Sequence, residues 1–195
     1  MGLPVEKRRY TIAEYLASEE MAEEKHEFHD GEILAMSGGT RDHAVISGNL
    51  YSALDKRMTG HPCQPFNDQL RVRIPGSARY LYPDVSVVCG EIHADPEDPK
   101  CSITNPRLLI EVLSSSTESY DRGEKFNLYR RLPSLQEYVL VSQTRPQVEV
   151  FHRQDDNSWR FVVASGMDAT LTLASIQLEI PFSEIYARLT FAPQS

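Results

Sequence analysis

Asp84 and Glu111 are the residues most out of character with their surroundings. Asp84 stands between Pro83 and the run Val85-Ser86-Val87-Val88, and Glu111 separates Leu108-Leu109-Ile110 from Val112-Leu113. Both runs are apolar enough to read as central strands buried on both faces. An ionised carboxylate there costs several kcal/mol unless it is partnered. The partner can be an Arg or Lys, backbone donors at a strand end, or a metal ion held by both groups. Neighbouring strands lie about 4.8 Å apart, so carboxylates on consecutive strands can converge on one point, and oxygen ligands so spaced suit Mg2+ or Mn2+. Lys125 follows in the segment Asp121-Arg122-Gly123-Glu124-Lys125. It can form an exposed i,i+4 pair with Asp121, or turn its ammonium toward the sheet, where it would position a water or offset charge developing on a phosphate.

Other constellations carry less. His26 and His29 form an HxxH pair without a matching third ligand. Ser114, Ser115 and Ser116 lack a nucleophile-elbow context and read as the cap of the following helix. Gly38-Gly39 is a turn without phosphate-loop spacing. Arg71, Arg73, Arg79, Arg122, Arg130 and Arg131 can contact phosphates or simply face solvent.

The elements that must hold these residues alternate. Thr11 caps a short amphipathic helix with Ile12, Tyr15 and Leu16 at helical spacing. Asp30-Gly31, between β-prone runs, marks a two-residue hairpin. Residues 42–58 repeat Val45, Ile46, Leu50, Ala53 and Leu54, a helix with one buried stripe. Leu70, Val72 and Ile74 alternate with Arg71 and Arg73 as a half-buried strand. The acidic, Pro-rich stretch between the two central strands reads as an excursion, and the segment after Glu111 as a helix stopped by Pro133. Strands EYVLVS and QVEVFHR, a hairpin WRFVVASGMDATLTL and a short terminal helical segment complete the chain. The expected class is α/β, one central mixed sheet flanked by helices with additional hairpins, in a single domain over residues 1–195.

Composition narrows the partners. Lys and Arg number 20 against 28 Asp and Glu, a formal charge of −8, while 41% of residues are apolar and 25% charged. That suits a globular protein and excludes disorder, collagen and disulfide scaffolds. The acidic balance excludes coating of nucleic acid or anionic membrane by bulk electrostatics, leaving only a local basic patch. Cys63, Cys89 and Cys101 form no CxxC pair, so three reduced thiols in a cytoplasmic protein are expected. No run of about 18 apolar residues is present, so no membrane partner is expected.

The segments HEFHDGEI, GGTRDHAVISGNLYSAL, LYPDVSVV, LLIEVLSSSTESYDRGEKFNLYR and LPSLQEYVLV resemble, in order, the pattern of the Uma-two family of endonucleases in the PD-(D/E)XK, or restriction-endonuclease-like, superfamily. The resemblance covers nearly the whole chain. It implies that Asp84 and Glu111 are the superfamily's acidic pair. Leu113 stands where the lysine of ExK would be, and the resemblance places that lysine on the following helix as Lys125. Glu27 and His43 also match family positions, Glu27 as a fourth polar group of the site. The implied activity is metal-assisted hydrolysis of DNA, with Asp84, Glu111 and the carbonyl of Val112 holding Mg2+ (or Mn2+) and Lys125 orienting the attacking water. The alternative is a nuclease-fold module that has lost catalysis and binds nucleic acid or protein. A homodimer through the apolar edge around Trp159 is also expected.

Overall fold

The computed structural model describes residues 8–36 and 38–191. Helix α1, Ile12–Glu20, begins at a capping box: Thr11 accepts a hydrogen bond from the Glu14 amide, and the Glu14 carboxylate accepts one from the Thr11 amide at 2.8 Å. Strands β1, His26–His29, and β2, Glu32–Ala35, form the hairpin that Asp30-Gly31 announces. Both turn residues adopt positive φ, 48° and 104°, as a turn matched to the twist of the strands requires. Helix α2, Arg41–Met58, buries Ile46, Leu50, Ala53, Leu54 and Met58 along one stripe.

The central sheet joins β3 (Cys63–Asn67), β6 (Val85–Cys89), β9 (Leu108–Leu113), β10 (Glu137–Ser142), β11 (Gln147–Arg153) and β12 (Trp159–Ser165) in the order β12-β11-β10-β9-β6-β3. Within it β9 and β10 run parallel and every other neighbouring pair is antiparallel. Alternation assigns its two faces. Val85, Val87, Ile110, Val112, Val139 and Val141 pack on α2 and the C-terminal segments. Val88, Leu109, Leu113, Tyr138 and Leu140 face the second layer. Glu111 falls between Leu109 and Leu113 in that period of two, so its carboxylate enters the second core. The β6–β9 register pairs Val85 with Ile110, and one further step sets Asp84 across from Glu111.

The second layer is a six-stranded mixed sheet, β2-β1-β5-β4-β8-β7, made of the first hairpin with β4 (Arg71–Arg73), β5 (Arg79–Leu81), β7 (Ala94–Asp95) and β8 (Asp98–Ile103). The acidic excursion therefore contributes strands to a sheet, and the expected Asp30-Gly31 hairpin merges into this second layer. Three of its strands, β4, β5 and β7, span only two or three residues, and β5 and β7 show no alternating pattern in sequence. Arg71 is buried, its guanidinium 2.8 Å from Asp98 and over the rings of Tyr15 and Tyr82, so the strand it rides on is covered on both faces.

Three further expectations are corrected. The segment after β9 is not one regular helix: α3 (Glu118–Tyr120) runs into a π-helical turn over Asp121–Lys125 and then α4 (Phe126–Tyr129). Strands β12 and β13 (Thr170–Leu173) do not pair with each other: β12 extends the central sheet beside β11, and β13 pairs with β14 (Leu178–Pro181), ahead of the closing helix α5 (Phe182–Ile185). Cys63 and Cys89 face each other in the β3–β6 register and are joined as a disulfide, leaving Cys101 free, so the expectation of three thiols and the cytoplasmic reading drawn from it lose their basis. No helix among the described residues is long and apolar enough to cross a membrane.

Candidate active site

The crossover from β9 to β10 places Lys125. Asp121 and Lys125 point inward from the π turn, both buried, while Arg122 pairs outward with Glu118 and Glu149, and Glu124 with Arg79. Widened turns of this kind recur at functional sites. This one is pinned on both sides, by the Tyr138 hydroxyl donating to the Asp121 carbonyl at 3.0 Å and by Phe126 stacked on Tyr138 and set edge-on to Trp159.

The Lys125 ammonium lies 2.9 Å from Glu111 Oε1, 3.2 Å from Glu27 Oε1 and 3.8 Å from Asp121 Oδ1, and donates to the Tyr82 carbonyl at 3.3 Å. The exposed i,i+4 pair is therefore not formed. Instead, one ammonium faces three buried carboxylates drawn from β9, β1 and the π turn. Tyr129 donates to Glu111 Oε1 at 3.0 Å, and Tyr120 to Glu27 Oε2 at the same distance. His29 Nε2 is 3.1 Å from Glu27 Oε2, and the Tyr82 amide donates to Glu27 Oε1.

Asp84 approaches from the head of β6. Its Oδ2 accepts from the Val112 amide at 2.6 Å and lies 3.2 Å from His43 Nε2, at the start of α2. The structure thus gathers Glu27, Glu111 and Lys125 in direct contact and ties Asp84 to the residue after Glu111. His26 and His29, an odd number of residues apart on β1, turn to opposite faces and meet different carboxylates, Glu19 and Glu27.

Charge is unevenly offset here. Burial opposes ionisation of Glu27, but Lys125 and His29 outweigh it and lower its pKa to about 2. Burial would pull Lys125 down, yet Glu111 and Glu27 hold it well above the ordinary lysine range. Burial pushes the Glu111 carboxyl up, and the neighbouring Asp121 and Asp84 add to that against Lys125. Burial likewise raises Asp121, with Asp84 and Glu27 contributing. For His43, burial lowers the ring's pKa, and the contact with Asp84 more than reverses it. The cluster carries more negative charge than its single ammonium offsets.

Glu27 makes this testable through acid. Its carboxyl sits at about 2 in the fold against an ordinary 4.5, so its contribution is fully present above about pH 4.5 and is lost as pH falls toward 2. The shift corresponds to about 3 kcal/mol. Urea unfolding of the wild type should weaken between pH 5 and pH 2 by about that much more than Glu27→Gln does; equal slopes would show that Glu27 is not held ionised.

Residues 12–183 match the family described as "Uma2: Putative restriction endonuclease". The chain belongs to this family. Two uncharacterized proteins of Synechocystis sp. are similar to this Uma2 protein along most of their length. One, slr1290, is 43% identical over 180 residues, 91% of this chain and 92% of that protein; the other, sll1609, is 34% identical over 168 residues, 86% and 94%. A crystal structure from Anabaena variabilis, titled as "a putative nuclease belonging to DUF820", superposes with a TM-score of 0.70 at 18% identity, covering 91% of this chain and 98% of that one, and so shares the fold.

Among the described residues of the Uma2 chain, no three or more His, Cys, Asp and Glu side chains form a ready metal cluster. The donor set still fits Mg2+, which keeps several waters and takes only one or two carboxylates from a protein. Asp84 and Glu111 supply hard oxygens, the contacts described for Glu111 fall on Oε1, and the surplus negative charge favours a second cation. Sequence reasoning underrated Asp121, Tyr129 and Tyr120 and gave His43 no role. The available signal was spacing: Asp121, Lys125 and Tyr129 are four residues apart in two successive steps, which stacks them on one helical face.

Proposed function

We propose that this Uma2 protein is a metal-dependent endonuclease that hydrolyses DNA phosphodiester bonds in a single PD-(D/E)XK domain. The observation that supports it is the Lys125 ammonium 2.9 Å from Glu111, on the strand whose next amide binds Asp84. In this reading Asp84, Glu111 and the Val112 carbonyl hold Mg2+ or Mn2+. The bound cation supplies an acidified water and an electrostatic sink for the phosphate. Lys125 orients that water and offsets charge on the scissile group. Glu27 and Asp121 keep Lys125 charged, and Tyr129 and Tyr120 fix the carboxylates it touches. Because Lys125 already faces Glu111, Glu27 and the Tyr82 carbonyl, a water it orients must take the place of one of these acceptors.

That engaged ammonium also favours the second reading, a nuclease-fold module that binds nucleic acid or protein without cutting. Nicking of supercoiled plasmid with Mg2+ and Mn2+ separates the two. The nuclease predicts cleavage that falls about 100-fold or more in Asp84→Ala and Glu111→Ala. Cleavage equal in all three proteins would assign it to a contaminant, and none in any of them would favour the binding module.

The reading includes a homodimer. Strand β12 is a free edge with Phe161, Val162 and Val163 exposed, and its one charged residue is Arg160. A twofold antiparallel pairing about Val162 would set Phe161 opposite Val163 and Arg160 opposite Ala164, so no like charges meet. Light scattering should give twice the chain mass for the wild type and the monomer mass for Val162→Lys.

A further inference from the structure

We propose that His43 is a positioning residue that decides which oxygen of Asp84 is presented to a divalent cation, and that the bare Cα of Gly39 is what lets it do so. The inference rests on the nuclease reading of Asp84. Two donors converge on one oxygen: the Val112 amide at 2.6 Å and His43 Nε2 at 3.2 Å both address Oδ2. An oxygen engaged by an amide donor on one side and an imidazole nitrogen on the other has little capacity left for a cation, which leaves Oδ1 as the ligand. Without the imidazole the Val112 amide alone would hold the group, and the carboxylate could rotate between its two oxygens.

The ring is itself held from several directions. Thr40 caps α2, accepting from the His43 amide at 3.1 Å, and its hydroxyl also bonds Gln143, in the turn after β10. The helix end that carries His43 is thus tied to the central sheet. On the ring's other side a Cβ on Gly39 would stand 3.0 Å from His43 Nδ1 and 3.3 Å from Cγ, closer than a side chain tolerates without moving. Gly39 does not have a positive φ, so an alanine there strains no backbone and acts only through that approach.

The location matches the role. Side chains of Lys125, Glu111 and Glu27 are 6%, 4% and 8% exposed, whereas those of Asp84 and His43 are 15% and 20% exposed. A cation entering from solvent meets the Asp84 and His43 side first. Groups that orient a ligand without touching the metal typically change its affinity 10- to 100-fold.

The test is calorimetric titration of Mn2+ into the full chain, with plasmid nicking as a function of Mn2+ and melting in chelator as the check on folding. His43→Ala should bind Mn2+ at least about ten-fold more weakly and recover most of its maximal nicking rate at saturating Mn2+. His43→Gln, whose amide nitrogen can occupy the position of Nε2, should bind within about three-fold of wild type and nick normally, and Gly39→Ala should fall between the wild type and His43→Ala. Wild-type affinity in His43→Ala would overturn the proposal. Weak binding in His43→Gln would overturn it in favour of direct ligation by the ring, and normal binding with lost nicking would overturn it in favour of proton transfer by the ring. If the wild type itself binds no Mn2+, the metal-site reading fails first and takes this one with it.

Discussion

Lys125→Met is expected to be the most damaging single substitution away from the apolar core. Its ammonium faces Glu111, Glu27 and Asp121, all buried, and the variant leaves these three carboxylates without the cation they share, with only His29 beside Glu27. Removing one partner of a buried ion cluster costs about 3–5 kcal/mol. For a chain of this size that lowers Tm by about 10 °C. The loss should depend on pH in a definite direction. Without the ammonium the carboxyl groups bind protons more tightly in the fold than in the unfolded chain, so stability falls as pH rises above the ordinary carboxylate range. Lys125→Met should therefore regain part of its deficit between pH 8 and pH 5, the direction opposite to the acid loss expected from Glu27 in the wild type. Differential scanning at those two pH values decides it: a melting point equal to wild type at pH 8 would mean that the ammonium is not the counter-ion of this cluster.

The second large effect is the response to metal. If Asp84 and Glu111 hold a divalent cation, Mg2+ or Mn2+ at a hundred times its dissociation constant stabilises the fold by about 2.7 kcal/mol. That raises Tm by about 5–10 °C. Asp84→Asn and Glu111→Gln should each abolish the rise. In chelator the same Glu111→Gln should be close to neutral or more stable than wild type. It removes one negative charge from a cluster that has too many, keeps an acceptor for the Tyr129 hydroxyl, and leaves Glu27 and Asp121 to Lys125. A purely structural pairing of Glu111 with Lys125 predicts the reverse, a loss of several kcal/mol on breaking the pair and no response to metal.

What could be read from the chain was local. The Thr11 cap, the Asp30-Gly31 turn, the Ile46, Leu50 and Leu54 stripe and the two apolar strands depend on neighbours within a few residues, and each has its expected form. Asp84 and Glu111 could be read because a carboxylate in an apolar run is conspicuous by itself. The direction of Lys125 could not, since a lysine four residues after an aspartate suits an exposed pair as well as a buried one. What decided it was the long-range placement of Glu27 on β1, nearly a hundred residues earlier. The Cys63–Cys89 pairing depends likewise on the register of β3 against β6, and the second sheet on β5 and β7, strands too short to show a period. His43 could be read only as a family position, without a role, because its partner, Asp84, comes from a different element.

The parallel pairing of β9 with β10 governs when the site can come into being. An antiparallel neighbour such as β11 is reached through a short turn, but a parallel one requires the chain to cross the sheet first, here over residues 114–136. Asp121, Lys125 and Tyr129 all ride on that crossing, whereas Glu27 and Asp84 are made long before it. No stretch emerging early from synthesis contains the ammonium together with its carboxylates, and Tyr138, which anchors the crossing, arrives later still. A chain that cuts DNA by this arrangement is inert until the crossing and Tyr138 have been made and the crossing has docked.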